Sequence, residues 1–219
     1  MNFFNILRRI LKTKDERGEL TSGWFRLLAR RAVRKMIADG PGPILDAAGG
    51  TGQLFDPQVS RLSKETVILD FDIRELLKAR PHYANQGSIV CGDITKMPFP
   101  DGTFNTSVCV GTFYNLPDSK MVQDGLCELS RVTKESGRVI VEFRNADNPW
   151  MRFAEEKAET FDHTLRGLPL IPYTLSQMKN MMLKAGLSIV RIKTTGIPVK
   201  PLILSYILEA KPQRVKENT

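Results

Sequence analysis

Between residues 43 and 145, short apolar runs alternate with amphipathic stretches about three turns long, and that alternation leaves few folds open to the chain. "PILDAA", "TVILDFD", "GSIVCGD", "FNTSVCVGTF" and "GRVIVEFR" have the length and the β-branched content of strands. "TGQLFDPQVSRL" leads from a loop into a helix, and "IRELLKARPHY" and "SKMVQDGLCELSRVTK" repeat apolar residues at helical spacing. Strands joined through helices pair in parallel by right-handed crossovers, so the predicted fold is a Rossmann-like, doubly wound α/β sheet with helices on both faces. Further on, "YTLSQMKNMMLKAGL" reads as a helix and "LSIVRIKTT" and "PLILSYILEA" as strands. The link between those two strands is too short for a parallel crossover, which needs a dozen residues or more, so the last strand is expected to run antiparallel. The sheet then has seven strands, six of them parallel.

The ends of the chain are different in kind. Residues 1–40 hold ten Lys/Arg against four Asp/Glu, and the tail after Ala210 adds a further excess of two, while the body between them is neutral. A basic protein ordinarily suggests a polyanionic partner; here the basicity belongs to the ends, which disfavours nucleic acid. "MNFFNILRRILK" places Phe3, Phe4, Ile6, Leu7, Ile10 and Leu11 at helical spacing among Arg8, Arg9 and Lys12. Residues 1–15 therefore read either as a peripheral membrane contact or as a stripe packed on the chain's own body or on a second subunit. A second helix starts near Ser22 with Trp24, Leu28, Ala32, Val33, Met36 and Ile37 on one face and Arg26, Arg30, Arg34 and Lys35 on another, until "DGPGP" stops it. The expected division is a basic helical extension over 1–40 and a main domain over 41–219, with an insertion at about 145–172. No apolar run reaches the roughly 20 residues of a membrane span and the start lacks the pattern of a secretory signal, so a cytoplasmic location is expected. Cys91, Cys109 and Cys127 form no CxxC pair and read as small buried hydrophobes, with no metal site expected.

In an open α/β sheet, ligands bind beyond the carboxyl ends of the strands, where strand order reverses. "ILDAAGGTGQL", residues 44–54, lies at the end of the first such strand, and its small residues let backbone approach a ligand that side chains would push away. A tight turn without a ligand uses glycine too. No Lys-Ser/Thr follows the glycines, which excludes a phosphate-cradling P-loop, and Phe55 stands where the dinucleotide fingerprint needs its third glycine. Asp72 closes "VILDFD", 20 residues after Gly52. A carboxylate there can accept both hydroxyls of a ribose, or cap the helix beginning at Ile73, and the two roles are compatible.

"ILDAAGGTGQL", "ILDFDIRELLKAR", "CGDITKMPFPDGTFNTSVCV" and "ELSRVTKESGRVIVEF" together resemble the successive motifs of class I S-adenosylmethionine-dependent methyltransferases. Within them, "DAAGGTG" and "MPFPDGTFN" are most similar to methyltransferase type 11 and the ubiquinone and menaquinone biosynthesis C-methyltransferases. The resemblance implies S-adenosylmethionine as cofactor and S-adenosylhomocysteine as product. It places Asp46, Ala48, Gly50 and Gly52 around the methionine end, Asp72 on the ribose, Phe71 or Ile73 beside the adenine, Asp93 and Ile94 at its amino group, and Val110 and Gly111 near the methionine. Ala48 stands where glycine is commoner, and Asn105 replaces an aspartate that often follows the phenylalanine of "TFN", which puts a structural carboxylate contact in doubt.

The sulfonium methyl group is already activated, so the expected work of the protein is to exclude water, align donor and acceptor in line, and remove a proton where needed. Tyr114, Asn115, Arg144, Trp150 and Tyr173 are candidate contacts for a small, apolar or aromatic acceptor, quinone-like or lipid-like. Tyr114 and His163 are candidate catalytic residues, although a lone histidine is more often structural. Arg144 reads either as a holder of an anionic substrate or as one half of an ion pair. Other readings are methylation of RNA or protein, or a cofactor-binding module without turnover. "GTFYNLPD" lacks the Asn/Asp-Pro-Pro-aromatic signature of base-amine methylation. Oligomeric state is not legible.

Overall fold

The computed structural model describes residues 12–14, 20–22, 24–38, 40–55, 65–83, 87–149, 167, 169–200 and 202–213. Residues 1–11, where the first amphipathic helix is expected, and most of the 145–172 insertion lie outside these. Lys12, the last residue of that expected helix, instead begins a short strand: β1 (Lys12–Lys14) pairs antiparallel with β2 (Leu20–Ser22).

The main body begins with α1 (Trp24–Ile37), followed by β3 (Ile44–Ala47), β4 (Thr66–Asp70), α2 (Ile73–Tyr83), β5 (Gly87–Cys91), β6 (Phe104–Val110), α3 (Ser119–Val132), β7 (Thr133–Arg144), α4 (Leu175–Lys184), β8 (Leu187–Gly196) and β9 (Ile203–Pro212). The seven main strands lie in the order β5-β4-β3-β6-β7-β9-β8, and only β9 runs against the rest. The doubly wound sheet with an antiparallel last strand is as the alternation predicts. Strand order reverses between β3 and β6, which places the switch point at the glycine loop after β3.

Successive side chains of each strand point to opposite faces, and this builds two cores. On one face Leu45, Leu69, Cys109, Val139, Val141 and Phe143 pack under α3 and α4, whose Val122, Leu126, Leu129, Met178 and Met182 are fully buried. On the other, Ile44, Ile68, Val108, Ile140 and Ile207 meet α1 and α2 through Val33, Ile37, Leu76 and Ala79. Helix starts follow local chemistry: Asp118 Oδ1 accepts from Met121 N at 2.8 Å to cap α3, and Thr174 with Gln177 forms a reciprocal capping box on α4.

Two expectations change. Cys109 alone of the three cysteines is buried; Cys91 and Cys127 are exposed because they fall on outward positions of β5 and α3. Asn105 does more than occupy the place of a carboxylate. Its Nδ2 donates to the carbonyl of Gly42, and its N–H to that of Pro43 at 3.0 Å, tying the start of β6 to the approach of β3. A carboxylate has no donor for that carbonyl.

Candidate active site

The face of the sheet covered by α1 changes character toward the carboxyl ends of its strands. Along β3, β6 and β7 the same side carries Ile44 then Asp46, Val108 then Val110, and Ile140 then Glu142 and Arg144. Register sets them abreast, with Asp46 opposite Val108 and Val110 opposite Glu142. Above these residues lies a cleft with a cavity of about 220 Å³. Asp46, Ala48, Gly50, Val110, Gly111, Tyr114, Asn115 and Arg144, all singled out from the sequence, line it, and so do Arg26, Arg30 and Glu142, which were not.

The loop after β3 is held by β4. Gly49 N donates to Leu69 O at 3.0 Å and Gly50 N to Asp70 Oδ2 at 2.7 Å. Gly50 and Gly52 adopt φ of 55° and 71°, and a Cβ on Gly49 would sit 2.6 Å from Asp46 Oδ2, so the bare backbone here is obligatory. Ala48 has φ 57°, a left-handed conformation that costs a non-glycine residue about 1 kcal/mol, which is a physical reason for glycine to be commoner at its position.

Asp46 is 2% exposed, and its Oδ2 has no hydrogen-bond partner among the described residues. Burial, then the nearby Asp70, push its pKa to about 8, against the pull of Arg30 and Arg34. The folded protein therefore retains a proton that the unfolded chain releases near pH 3.8. This group's contribution to stability is complete below that value and is lost as the pH rises toward 8. Burial likewise raises the pKa of Glu142, opposed by a hydrogen bond from the Ser205 hydroxyl, by Arg144, by Gly111 N at 2.9 Å and by Arg26.

Asp72 stands at the start of α2, in the helix-cap role that the sequence also allows. Its Oδ1 accepts from Arg74 N at 2.9 Å and its carboxylate pairs with the Arg74 guanidinium at 2.7 Å, which holds its pKa at about 2. It caps α2, and neither it nor Asp70 is among the residues that line the cleft. Asp70, two residues earlier and at the very end of β4, reaches the glycine loop instead, receiving Gly50 N through Oδ2 and Asp72 N through Oδ1 at 2.8 Å. The end of the strand explains the difference: Asp70 is the last residue in register with β5, and after it the chain turns away into the helix.

The other expected residues divide. Phe71 is 79% exposed and Ile73 51%, beyond the tip of β4 and outside the cleft lining. Asp93 closes a turn on Thr95, accepting its N–H and hydroxyl at 2.8 and 2.9 Å, while the Ile94 side chain points into the core under α3. Tyr114 is buried, with the Arg144 guanidinium 3.7 Å from its ring centroid. Tyr173 belongs to the core on the α3 face and not to the cleft, because Ala146 N donates to its carbonyl at 3.1 Å and draws that segment alongside the end of β7. Trp150 and His163 lie outside the described residues.

The sequence puts Arg26, Arg30, Arg34 and Lys35 on one face of α1, away from the apolar stripe. That face is in fact split. Arg31 and Lys35 are exposed, while Arg34 donates to Leu54 O at 2.7 Å, Arg30 donates to Gln53 Oε1, and Arg26 and Arg30 line the cleft. The spacing of these arginines by four residues was visible in the sequence. Glu142 also left a signal, a lone acid inside "VIVEFR" with the parity of Arg144.

Comparisons with known proteins agree with this geometry. Residues 45–141 match the family profile described as a methyltransferase domain. Over 160 residues the chain is 29% identical to a ubiquinone/menaquinone biosynthesis C-methyltransferase of Cereibacter sphaeroides and 34% identical to a demethylmenaquinone methyltransferase of Beutenbergia cavernae. In both cases the match takes in 69% of this chain, and it spans 63% and 59% of the relatives' own lengths. Among solved structures, a magnesium protoporphyrin IX methyltransferase of Synechocystis with bound S-adenosylhomocysteine superposes with a TM-score of 0.65 at 18% identity, covering 96% of this chain and 94% of its own, a likeness of fold. The profile runs from the strand that carries the glycine loop into β7, and in sequence and in fold the chain is similar to methyltransferases.

Proposed function

We propose that this protein binds S-adenosylmethionine in the cleft after β3 and transfers its methyl group in line to a small molecule with an aromatic or apolar body, quinone-like or lipid-like. The observation that carries the reading is the buried Asp46 Oδ2, without a hydrogen-bond partner among the described residues, beside a loop that a Cβ would obstruct, since an isolated acceptor there suits a cationic ammonium group. The cofactor, when bound, supplies a methyl already activated by its sulfonium. The chain's part is to hold and to exclude water. Asp46 would hold the methionine ammonium, Arg30 would pair with its carboxylate, and Asp70, in place of Asp72, would take the ribose hydroxyls. Phe71 and the turn at Asp93 border the space left for the adenine, with the exposed ring of Phe71 covered on binding. Tyr114, close under Gly111, contacts the acceptor. The quinone chemistry in the names of the two relatives favours a flat aromatic acceptor.

Titration calorimetry with S-adenosylhomocysteine tests this reading. Because Asp46 is protonated at neutral pH and would ionise against the ammonium, binding at pH 7 should release about one proton, and at pH 9 almost none, as read from buffers of different ionisation enthalpy. Absence of binding, or proton release unchanged between the two values, would remove Asp46 from the site.

The amphipathic, basic pattern of residues 1–15 favours a lipid surface as the place where such an acceptor is met. Among the described residues no helix is long and apolar enough to cross a membrane. The protein should float with vesicles containing phosphatidylglycerol at low salt, and a form lacking residues 1–15 should stay at the bottom of the gradient. Equal flotation of the two forms would take the membrane out of the proposal.

A further inference from the structure

The arginines around the cleft serve two different acids. Arg30 and Arg34 are the cations that act on Asp46, at the glycine loop. Arg144 and Arg26 are those that act on Glu142, at the ends of β6 and β7, and both of them line the cleft. We propose that Arg26 and Arg144 form a subsite for an anionic group on the methyl acceptor, a carboxylate carried by a small aromatic molecule; this rests on the cofactor placement given under the proposed function.

Three observations support it. Arg26 Nε is buried and has no hydrogen-bond partner among the described residues, and a buried N–H of a cation left without an acceptor is costly. Glu142 lowers the charge here while also receiving Gly111 N and the Ser205 hydroxyl, so a single carboxyl stands against the two guanidinium groups of Arg26 and Arg144 and an excess of positive charge remains. Asn115, also lining the cleft, has its buried Oδ1 without a hydrogen-bond partner among the described residues, while its Nδ2 makes a long contact of 3.4 Å to Gly111 O. A ligand with an oxyanion and a neighbouring O–H or N–H would satisfy both orphaned atoms.

Charge points the same way. The cleft sets three guanidinium groups, on Arg26, Arg30 and Arg144, against two carboxyls whose ionisation burial opposes, and S-adenosylmethionine adds a further net positive charge. An anionic acceptor brings the assembled site nearer neutrality. The stacking of Arg144 on Tyr114 also holds that guanidinium in one orientation before a ligand arrives.

The test compares benzoate with its neutral isostere benzamide, by chemical-shift titration of protein saturated with S-adenosylhomocysteine. Benzoate should bind at least about tenfold more tightly than benzamide, the scale of one charge-assisted pair of hydrogen bonds. Arg26→Gln and Arg144→Gln should each reduce that ratio below about threefold, and Lys120→Gln, an equal charge change on the exposed side of α3, should leave it intact. Arg144 is buried and its variant can fail to fold; Arg26→Gln, on the cleft wall, decides the matter in that event. Equal binding of the two probes, or a ratio that survives Arg26→Gln, overturns the subsite. So does a loss of S-adenosylhomocysteine affinity of about tenfold in Arg26→Gln, which would assign Arg26 to the cofactor. Failure of wild-type protein to bind S-adenosylhomocysteine at all would instead strike the cofactor placement, and the subsite with it.

Discussion

Asp70→Ala is expected to weaken S-adenosylhomocysteine binding about 100-fold, and Asp72→Ala by less than about threefold, because two charge-assisted hydrogen bonds to a ribose are worth roughly 3 kcal/mol together. Both acids sit at the tip of β4, and a composition-preserving change at either looks equivalent on paper. The structure separates them. Asp70 faces the glycine loop with an oxygen already receiving Gly50 N, half-buried and close enough to Asp46 to raise its pKa. Asp72 spends its carboxylate on the N–H and guanidinium of Arg74 at the start of α2. Calorimetry on the two variants decides between them, and comparable losses in both would mean that the ribose acid has been misassigned. Asp70→Asn is a milder version: it keeps an acceptor for Gly50 N but removes the charge.

Glu142→Ala should cost about 3 to 5 kcal/mol of folding stability, the usual effect of removing one partner from a buried charge cluster. Arg144, 4% exposed and stacked on Tyr114, loses a nearby counter-charge, and Gly111 N and the Ser205 hydroxyl lose their acceptor in the same step. Glu142→Gln should cost no stability at neutral pH, since an amide oxygen still receives Gly111 N and no ionised carboxyl has to be buried. Burial raises the Glu142 pKa, so protonated glutamate approaches the glutamine form as the pH falls, and the gap between wild type and Glu142→Gln should narrow toward acid. Urea unfolding at two pH values measures both effects. An alanine variant that unfolds at the wild-type midpoint would show that Arg144 is neutralised by other means.

The Asp70 and Asp72 pair also marks how far sequence reading extends. That an acid at the end of the second sheet strand faces the loop follows from the fold, and the run "VILDFD" contains two of them. Which one is the terminal residue of the strand depends on where pairing with β5 stops, at Asp70 opposite Cys91, and no local pattern states that. The arginines of α1 are a second instance. Their spacing by four residues indicates a shared face, but a charged face is ordinarily a solvated one, and only the docking of α1 against β6, β8 and β9 turns Arg26 and Arg30 over the cleft. Tyr173 is the reverse case: a polar aromatic near the expected substrate side that the packing of α4 draws into the core.

By itself the sequence determined the doubly wound sheet, the antiparallel last strand and the position of the glycine loop at the switch point, because hydrophobic period, strand length and the residues that break helices are local properties that a chain carries openly. The tertiary structure alone decided that Asp70 and not Asp72 meets the loop, that Asp46 is buried with an oxygen unmatched among the described residues, and that Arg26 converges with Glu142 and Arg144 from two separate segments, α1 and β7. Such encounters depend on crossover geometry and on where each strand ends against its neighbour, and a separation of more than a hundred residues between Arg26 and Glu142 leaves no trace of them in either stretch taken alone.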